Sequence, residues 1–409
     1  MPVKRLSLTV SLVLVAAPLV ISAPAQATTA HRTTRVGAWT ASLAGGGIDI
    51  VDRTVRMVVH TTVAGDSVRV RLSNLYGSKP LRIGAVDVAV QGSGGSAVRG
   101  SHHAVTFGGS AATTVPVGKE IAGDPLDMSV DAEEKLLVSV YLPGDAGPSS
   151  WHYVAADTTW FSAPGNFTAA DTIADYPSDS AAWYYLDGLD VESRTAGGTL
   201  VAFGDSITDG VGSSMSTNSR WPDDLARRLE KQPNGPALSV VDAGMGGNHL
   251  LIDTGTAYGT SALHRFAHDA LGQPNVKAVI LLEGINDIAN PESGTTPTAQ
   301  SLIHAYQTLI AQAHAARVRI YGGTLTPYQG SSNHSSSGEA VREAVNQWIR
   351  SSGAFDAVID FDAAVAAPGN PQRLNPAYDS GDHLHLDDAG YEAMADAIDL
   401  TRITAATSG

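Results

Sequence analysis

The stretch that decides the fold is 199–210, which reads TLVAFGDSITDG. Its first part is an apolar run at 200–203 of the kind that forms a buried strand. Residues 204–210 follow at once and consist of glycine, aspartate, small hydroxyl side chains and one isoleucine. A serine placed directly after a buried strand, on a tight turn, projects its hydroxyl at the carboxyl edge of the sheet. The stretch therefore predicts a strand that delivers Ser206 to the edge where α/β proteins carry out their chemistry.

Strand and helix patterns alternate from this stretch towards the C-terminus. Further apolar runs stand at 238–241, 276–282, 318–321 and 357–359, with helical patterns between them. The clearest helix has apolar side chains at the i, i+3, i+4 and i+7 spacing between Leu302 and Ala313. Such an alternation predicts an α/β domain with a mainly parallel sheet.

Three more polar blocks accompany the predicted elements. The second strand is followed by DAGMGGN at 242–248, and the third by EGIND at 283–287. The fourth block, DHLH at 382–385, precedes a short helical pattern near the C-terminus. Because the carboxyl ends of parallel strands meet at one edge of a sheet, these blocks are expected to converge on Ser206.

The residue types in these blocks suit nucleophilic catalysis by serine. A serine hydroxyl is a weak nucleophile and needs a neutral imidazole within hydrogen-bond reach, and that imidazole needs an acceptor on its other nitrogen. Asp382 and His385 are three residues apart, so in a turn-like loop their side chains can touch. The glycines of 244–247 expose backbone N–H groups, and Asn286 offers an amide; such donors stabilise a developing oxyanion.

The four blocks resemble those of the GDSL-type esterases and lipases, the SGNH-hydrolase superfamily. The resemblance covers about half the chain and implies a flavodoxin-like three-layer α/β/α domain. It implies that Ser206 is the nucleophile and that His385 and Asp382 form the acid–base pair. It also implies that the N–H groups of Ser206 and Gly247 and the side-chain amide of Asn286 form the oxyanion hole.

The sequence departs from the family pattern at two positions and offers a rival at a third. Asp242 stands where many relatives have asparagine. His383 fills a position often taken by glycine and is a rival to His385 as the base, although the spacing from Asp382 favours His385. Gly246 is a rival to Gly247 by a one-residue slip in the glycine run.

The remaining acidic residues of the blocks are expected to be structural. Asp205, Asp209 and Asp287 are interpreted as supports for their loops, because aspartate is common at helix caps and turns. Glu283 is interpreted as a solvent-facing or helix-paired glutamate, with a contribution to the substrate pocket as the less favoured alternative.

The first half of the chain has a different texture. Period-two alternation at 55–60 and 67–72, with Gly, Pro, Asp and Ser clusters between the runs, predicts short strands and no long helix. We expect an all-β sandwich of jelly-roll type at 35–192, a linker at 193–198 and the hydrolase domain at 199–409. The tryptophans and tyrosines at 151–185 are expected in the core or between the domains, with part of the set buried there or lining one side of the cleft, rather than on a sugar-binding surface.

The extreme N-terminus has the pattern of a secretory signal. Lys4 and Arg5 precede an apolar run at 6–21, and the small-x-small triplet AQA stands at 25–27. This pattern predicts a signal peptide of residues 1–27 and a secreted, extracellular protein without stable membrane insertion after cleavage.

The composition of the chain argues against several classes of partner and cofactor. The 409 residues include 26 Lys and Arg against 41 Asp and Glu, a net charge of −15, which disfavours nucleic acid as a partner. There is no cysteine, and the sequence has no H-E-x-x-H or nucleotide-binding motif, so we expect neither a metal nor a cofactor.

The leading hypothesis is a secreted serine esterase that acts on acyl esters of carbohydrates, with acetyl as the expected acyl group and a small molecule or polysaccharide as the partner. One alternative is a lipase or arylesterase with a more apolar acyl pocket. The other is a carbohydrate-binding protein with an inactive hydrolase domain, which the intact set of site residues argues against.

Overall fold

The computed structural model describes residues 1–12, 33–233, 237–255, 257–291, 294 and 296–404. Residues 1–12 form neither helix nor strand. Most of the expected signal peptide, with its cleavage triplet at 25–27, lies outside the described residues. In the described part of the chain, no helix combines the length and the apolar character needed to cross a membrane.

The region 34–193 is built from strands, and its described residues include no helix. The strands are β1 (Thr34–Thr40), β2 (Asp49–His60), β3 (Val68–Ser73), β4 (Leu81–Ile83), β5 (Ala85–Val90), β6 (His103–Val105), β7 (Thr113–Val115), β8 (Glu120–Ala122), β9 (Lys135–Pro148), β10 (Trp151–His152), β11 (Thr159–Pro164), β12 (Ser178–Ser180), β13 (Trp183–Tyr184) and β14 (Leu186–Ser193).

Two antiparallel sheets carry most of these strands. One has the order β1-β14-β3-β8 and the other β12-β11-β2-β9-β5-β6. The predicted alternation is visible in β3, where Val68, Val70 and Leu72 are fully buried and Arg69 and Arg71 are partly exposed. The finding is thus a strand-rich region, and its jelly-roll character stays a prediction.

The second half alternates strands and helices. Its strands are β15 (Thr199–Gly204), β16 (Ser239–Gly244), β17 (Val276–Leu282), β18 (Arg319–Gly323), β19 (Ala357–Ile359), β20 (Ala366–Ala367) and β21 (Asn370–Leu374). Its helices are α1 (Ser206–Asp209), α2 (Trp221–Glu230), α3 (Ala262–Arg265), which continues as one π-helical turn (Phe266–Ala270), α4 (Ile285–Ala289), α5 (Ala299–Ala315), α6 (Ser336–Ser351), α7 (Phe361–Val365), α8 (Asp388–Asp396) and α9 (Leu400–Thr404).

A five-stranded parallel sheet forms the core of this half. Its order is β16-β15-β17-β18-β19, the 2-1-3-4-5 order of flavodoxin-like folds, and every neighbouring pair is parallel. The helices form two groups. In one group α8 contacts both α2 and α7, and in the other α5 contacts both α3 and α6. The strand order reverses at β15, so the crevice that such sheets use for ligands opens next to the turn that carries Ser206.

The two halves share a buried polar interface within the compact unit Thr33–Gly409. β1 runs beside β16, the edge strand of the parallel sheet. The Gly37 N–H donates to Thr199 Oγ1 at 3.0 Å, and a Cβ on Gly37 would lie only 2.9 Å from Val241 Cγ1. A second link joins β2 to α2, where His60 Nε2 lies 3.1 Å from Asp223 Oδ1 with both side chains buried.

Candidate active site

Ser206 is the first residue of α1, directly after β15. Asp205 caps this helix, and its Oδ1 accepts the N–H of Ile207 at 3.0 Å. A Cβ on Gly204 would lie 2.1 Å from the carbonyl oxygen of Leu282, so only glycine lets the chain turn here against β17. The turn holds Ser206 at the sheet edge, with 5% of its surface exposed.

Ser206, His385 and Asp382 form a continuous hydrogen-bonded chain. His385 Nε2 lies 2.8 Å from Ser206 Oγ, and His385 Nδ1 lies 2.6 Å from Asp382 Oδ2. Asp387 caps α8 by accepting the N–H of Gly390 at 2.9 Å, which fixes the helix that follows the loop of His385. The structure thus brings Ser206 together with Asp382 and His385, which stand 176 and 179 positions further along the sequence.

Asp382 is held in its ionised form. Burial raises the pKa of its carboxyl, but hydrogen bonds from the His385 ring and from the N–H groups of His385 and Leu384 outweigh burial, and the net pKa is well below the usual range. A carboxylate can only accept, so His385 Nδ1 carries the proton, and the other ring nitrogen is left to accept from Ser206. This is the tautomer that a serine nucleophile requires.

The glycine run of 244–247 provides one donor for an oxyanion. The Gly246 N–H is already used, because it donates to Asp209 Oδ2 at 2.7 Å. The Gly247 N–H makes no recorded hydrogen bond to a described residue and lies in the same cleft as Ser206. Gly247 has φ +69°, and a Cβ there would lie 2.4 Å from the ring of Tyr258. Both the backbone conformation and the lack of space for a side chain therefore require glycine at this position.

Asn286 reaches the same cleft from α4. One of its two amide N–H groups donates to the carbonyl oxygen of Asn248 at 2.9 Å, which leaves the other for a ligand. The adjacent Asp287 accepts the N–H groups of Leu250 at 2.7 Å and Leu251 at 3.0 Å. Asp287 therefore ties the loop after β16 to the block after β17, which is the structural role expected for it.

Sequence reasoning missed Arg265, which joins three strand ends beneath the cleft. It is 2% exposed and donates to the carbonyl oxygens of Gly204 at 2.7 Å and Ala243 at 2.8 Å. Its Nε donates to Asn248 Oδ1 at 2.7 Å, and Asp269 is its ion-pair partner at 3.2 Å. The sequence does place this charged residue on the apolar face of α3. Such a position indicates a buried guanidinium, which must find several hydrogen-bond acceptors.

Of the two expectations for Glu283, the solvent-facing position is wrong, and the pairing with a helix fits, since its partner Arg265 is the last residue of α3. Glu283 is 1% exposed, and its Oε2 lies 3.5 Å from Arg265. Burial and the neighbouring Asp205 raise the pKa of Glu283 well above its usual range, and burial raises the pKa of Asp205 to about 6. Arg265, which also pairs with Asp269, opposes this rise in the pKa of Glu283 without cancelling it.

The rival histidine His383 is engaged elsewhere. Its Nδ1 lies 2.5 Å from Asp379 Oδ2, and its Cβ lies 3.3 Å from the position of a Cβ on Gly330. His383 has φ +64°, the left-handed region that glycine adopts freely and that costs other residues roughly 1–2 kcal/mol. This conformation accounts for the resemblance to a glycine position and places the His383 ring outside the set of residues that line the cleft.

Asp242, the departure from asparagine, behaves as a neutral group. Its Oδ1 accepts the Gly244 N–H at 2.8 Å. Burial raises the pKa of Asp242 to about 8, against the opposing effect of the Arg220 guanidinium. A protonated carboxyl has one acceptor and one donor, as an amide has, so Asp242 can replace asparagine at neutral pH.

A pH-dependent stability follows from Asp242. Its pKa is higher in the folded protein than the value of about 3.9 in unfolded chains, so the folded state holds the extra proton between these values. The contribution of Asp242 to the free energy of unfolding is therefore present at low pH and is lost as pH rises towards 8. Asp242→Asn does not titrate, so we expect its Tm to exceed that of the wild type by more at pH 9 than at pH 5.

The measurement is thermal unfolding of both proteins at the two pH values. Each unit of pKa difference corresponds to about 1.4 kcal/mol. Asp179→Asn, at an exposed position in β12, is the control and should change Tm equally at both pH values. An equal Tm difference for Asp242→Asn at pH 5 and pH 9 would contradict the prediction.

The cleft above Ser206 has a volume of about 520 Å³. The strand-rich half contributes Tyr153, whose ring centroid lies 6.0 Å from that of Tyr258. Four further lining residues have amide or hydroxyl side chains, namely Asn290, Ser331, Ser332 and Asn333. Tyr153 belongs to the aromatic set at 151–185, part of which was expected between the halves or along the cleft, whereas the four polar residues lie in loops without a motif and were not identified from the sequence.

The fold and the residues of the site are those of the SGNH class of hydrolases. Residues 202–393 match the model of the GDSL-like lipase/acylhydrolase family, and the domain that they form belongs to this family. The protein is accordingly a carboxylic ester hydrolase.

The similarity to solved structures covers about half of this chain. An acetyl xylan esterase has 21% sequence identity and a TM-score of 0.37 over 49% of this chain and 96% of its own. An aryl esterase from M. smegmatis has 16% identity and a TM-score of 0.39 over 49% and 95%. A carbohydrate acetylesterase from Sinorhizobium meliloti has 14% identity and a TM-score of 0.38 over 49% and 95%. A search of curated proteins found no match.

Proposed function

We propose that this protein is a secreted serine esterase that removes acyl groups, acetyl in particular, from carbohydrates. The observation that carries the proposal is the hydrogen-bonded chain from Ser206 Oγ through His385 to Asp382, at 2.8 and 2.6 Å, in an open cleft. Ser206 is the nucleophile, His385 the general base and acid, and Asp382 orients the imidazole.

The first half of the reaction transfers the acyl group to the enzyme. His385 Nε2 takes the hydroxyl proton as Ser206 Oγ attacks the ester carbonyl carbon. The carbonyl oxygen becomes an oxyanion, which the N–H groups of Ser206 and Gly247 and the amide of Asn286 stabilise. When the carbon–oxygen bond of the ester breaks, His385 returns the proton to the leaving alkoxide, and the alcohol departs.

The second half repeats these steps with water. His385 takes a proton from water, which attacks the acyl carbon, and the same donors stabilise the second oxyanion. Cleavage of the bond to Ser206 Oγ releases the carboxylic acid, and His385 returns the proton to Ser206. Asp382 stays ionised throughout, in keeping with its lowered pKa.

The walls of the cleft support a hydroxylated alcohol as the leaving group. Asn290, Ser331, Ser332 and Asn333 contribute amide and hydroxyl groups to the lining. Tyr153 and Tyr258 contribute aromatic surface, and aromatic faces with a polar tip suit the mixed surface of a sugar. Val211 and Leu384 are the only aliphatic side chains among the described residues that line the cleft, so a long acyl chain would find little aliphatic surface there.

A substrate panel tests the proposed function. We expect release of acetate from acetylated xylan and faster turnover of p-nitrophenyl acetate than of long-chain p-nitrophenyl esters. A preference for long-chain or aryl esters with no acetate release from the polysaccharide would favour the lipase or arylesterase alternative. Binding of the polysaccharide with no hydrolysis of any ester would favour the carbohydrate-binding alternative.

Replacing Asn286 by alanine tests the oxyanion hole. We expect kcat to fall by about 10²–10³ with little change in KM, because the lost hydrogen bond forms fully only in the transition state. Asn286→Asp is a second variant of nearly equal shape without the amide donors, and it should lose kcat as well. A rise in KM with unchanged kcat in both variants would mean that Asn286 binds the substrate instead.

A further inference from the structure

His152 of β10 is a buried side chain of the strand-rich half, and it contacts Asp209 in the helical turn that begins with Ser206. The His152 ring is 4% exposed and packs on Trp183, with 5.4 Å between ring centroids. Its Nδ1 lies 2.8 Å from the carbonyl oxygen of Ser42. Its Nε2 lies 2.9 Å from the carbonyl oxygen of Val154 and 3.0 Å from Asp209 Oδ1.

Both ring nitrogens of His152 therefore face groups that can only accept hydrogen bonds. A neutral imidazole would turn a lone pair towards one of these oxygens, whereas an imidazolium satisfies all of them. Burial lowers the pKa of His152, but the Asp209 carboxylate and the Ser42 carbonyl outweigh burial and the nearby Arg220, and the net pKa is raised. His152 and Asp209 thus form a buried ion pair between the two halves of the protein.

Asp209 connects His152 with the glycine run that provides a donor for the candidate oxyanion hole. It is the last residue of α1, the helix that begins with Ser206. Its Oδ1 accepts a hydrogen bond from His152 Nε2, and its Oδ2 accepts one from the Gly246 N–H at 2.7 Å. Gly246 immediately precedes Gly247, so this one carboxylate fixes the direction in which the next N–H points.

We infer that His152 is a positioning residue for ester hydrolysis, which acts through Asp209 to hold the loop of Gly246 and Gly247 against the turn of Ser206. The inference rests on the proposed function. Without the imidazolium, Asp209 Oδ1 loses the ring N–H that it accepts, and the buried carboxylate moves towards other donors. This movement weakens its hydrogen bond with the Gly246 N–H and misaligns the donor at Gly247.

The test compares two histidines with the same chemistry. His152→Gln removes the charge of the pair with Asp209, and His60→Gln removes the equivalent side chain from the buried pair with Asp223. Among the described residues, the side chain of Asp223 bonds to His60 and Arg220 and not to residues 244–247. We expect both variants to have a lower Tm. Only His152→Gln should lose kcat, by about 10-fold or more with KM within about 2-fold, because misalignment acts on a donor whose full loss costs about 10²–10³.

Hydrogen exchange supplies a second readout that does not depend on turnover. By mass spectrometry, the peptide spanning 243–248 should exchange faster in His152→Gln than in the wild type, and at the wild-type rate in His60→Gln. Equal losses of kcat in the two variants, or wild-type kcat and exchange in His152→Gln, would overturn the inference. Faster exchange in His152→Gln, together with no ester hydrolysis by the wild type, would retain the contact and reject the proposed function.

Asp209→Asn keeps the test open if His152→Gln does not fold. Its side chain retains the shape and one acceptor oxygen but loses the charge that pairs with His152. We expect a similar loss of kcat, and no further loss when His152→Gln is added to it, because the two residues act in series. Wild-type kcat in folded Asp209→Asn would overturn the inference.

Discussion

Ser206→Ala is expected to lower kcat for ester hydrolysis by on the order of 10⁶, the usual cost of removing a catalytic serine or its histidine. The hydroxyl is the atom that forms the acyl-enzyme in the proposed mechanism, and the variant has no other nucleophile 2.8 Å from His385 Nε2 among the described residues. Stability should change by no more than about 1 kcal/mol, because a single hydrogen bond at the edge of a cleft is lost.

The comparison needs a control that removes a serine hydroxyl nearby without touching the cleft. Ser213→Ala serves this purpose, since Ser213 Oγ donates only to the carbonyl oxygen of Gly210 at 2.6 Å. Purified proteins should be compared by kcat on p-nitrophenyl acetate and by Tm. If Ser206→Ala kept more than a small percentage of wild-type turnover with an unchanged Tm, Ser206 would not be the nucleophile.

His385→Ala is expected to lose activity on the same scale, whereas His383→Ala should be only impaired. The first variant removes the base and leaves Asp382 without the ring that it orients. The second removes a contact with Asp379 that shapes the loop but does not reach Ser206. Both variants should be tested by kcat and KM at a fixed pH.

His383→Gly separates the ring of His383 from its backbone. Because φ at this position is +64°, glycine adopts the conformation without strain, while alanine keeps the strain and loses the hydrogen bond with Asp379. We therefore expect His383→Gly to keep more activity than His383→Ala. The reverse order of the two histidines, with His383 variants inactive and His385→Ala active, would overturn the assignment of the base.

Most strands and helices of the second half could be predicted from local sequence patterns. The run at 276–282 forms β17 with the expected bounds, and the helical spacing between Leu302 and Ala313 lies within α5 (Ala299–Ala315). The helix after His385 also forms where expected, although another short helix, α9, follows it. These features depend on periodicity over neighbouring residues, which a sequence displays directly.

The site was predictable only in so far as its residues stand in recognisable blocks. The spacing of Asp382 and His385 determines their contact, but the choice between Gly246 and Gly247 depends on Asp209, a partner 37 positions away. Arg265 was missed and the environment of Glu283 misjudged for the same reason. The partners of a buried charge are set by tertiary contacts, which leave no local pattern in the chain.

The run of β1 beside the edge strand β16 has a consequence for protein engineering. In many multidomain enzymes a catalytic unit can be excised and fused to a new binding module as a cassette. Here a graft of residues 199–409 would uncover the flank of β16 and leave Asp209 and Asp223 without their histidines. A successful chimera would have to retain both halves as one block and attach its new module elsewhere on the surface.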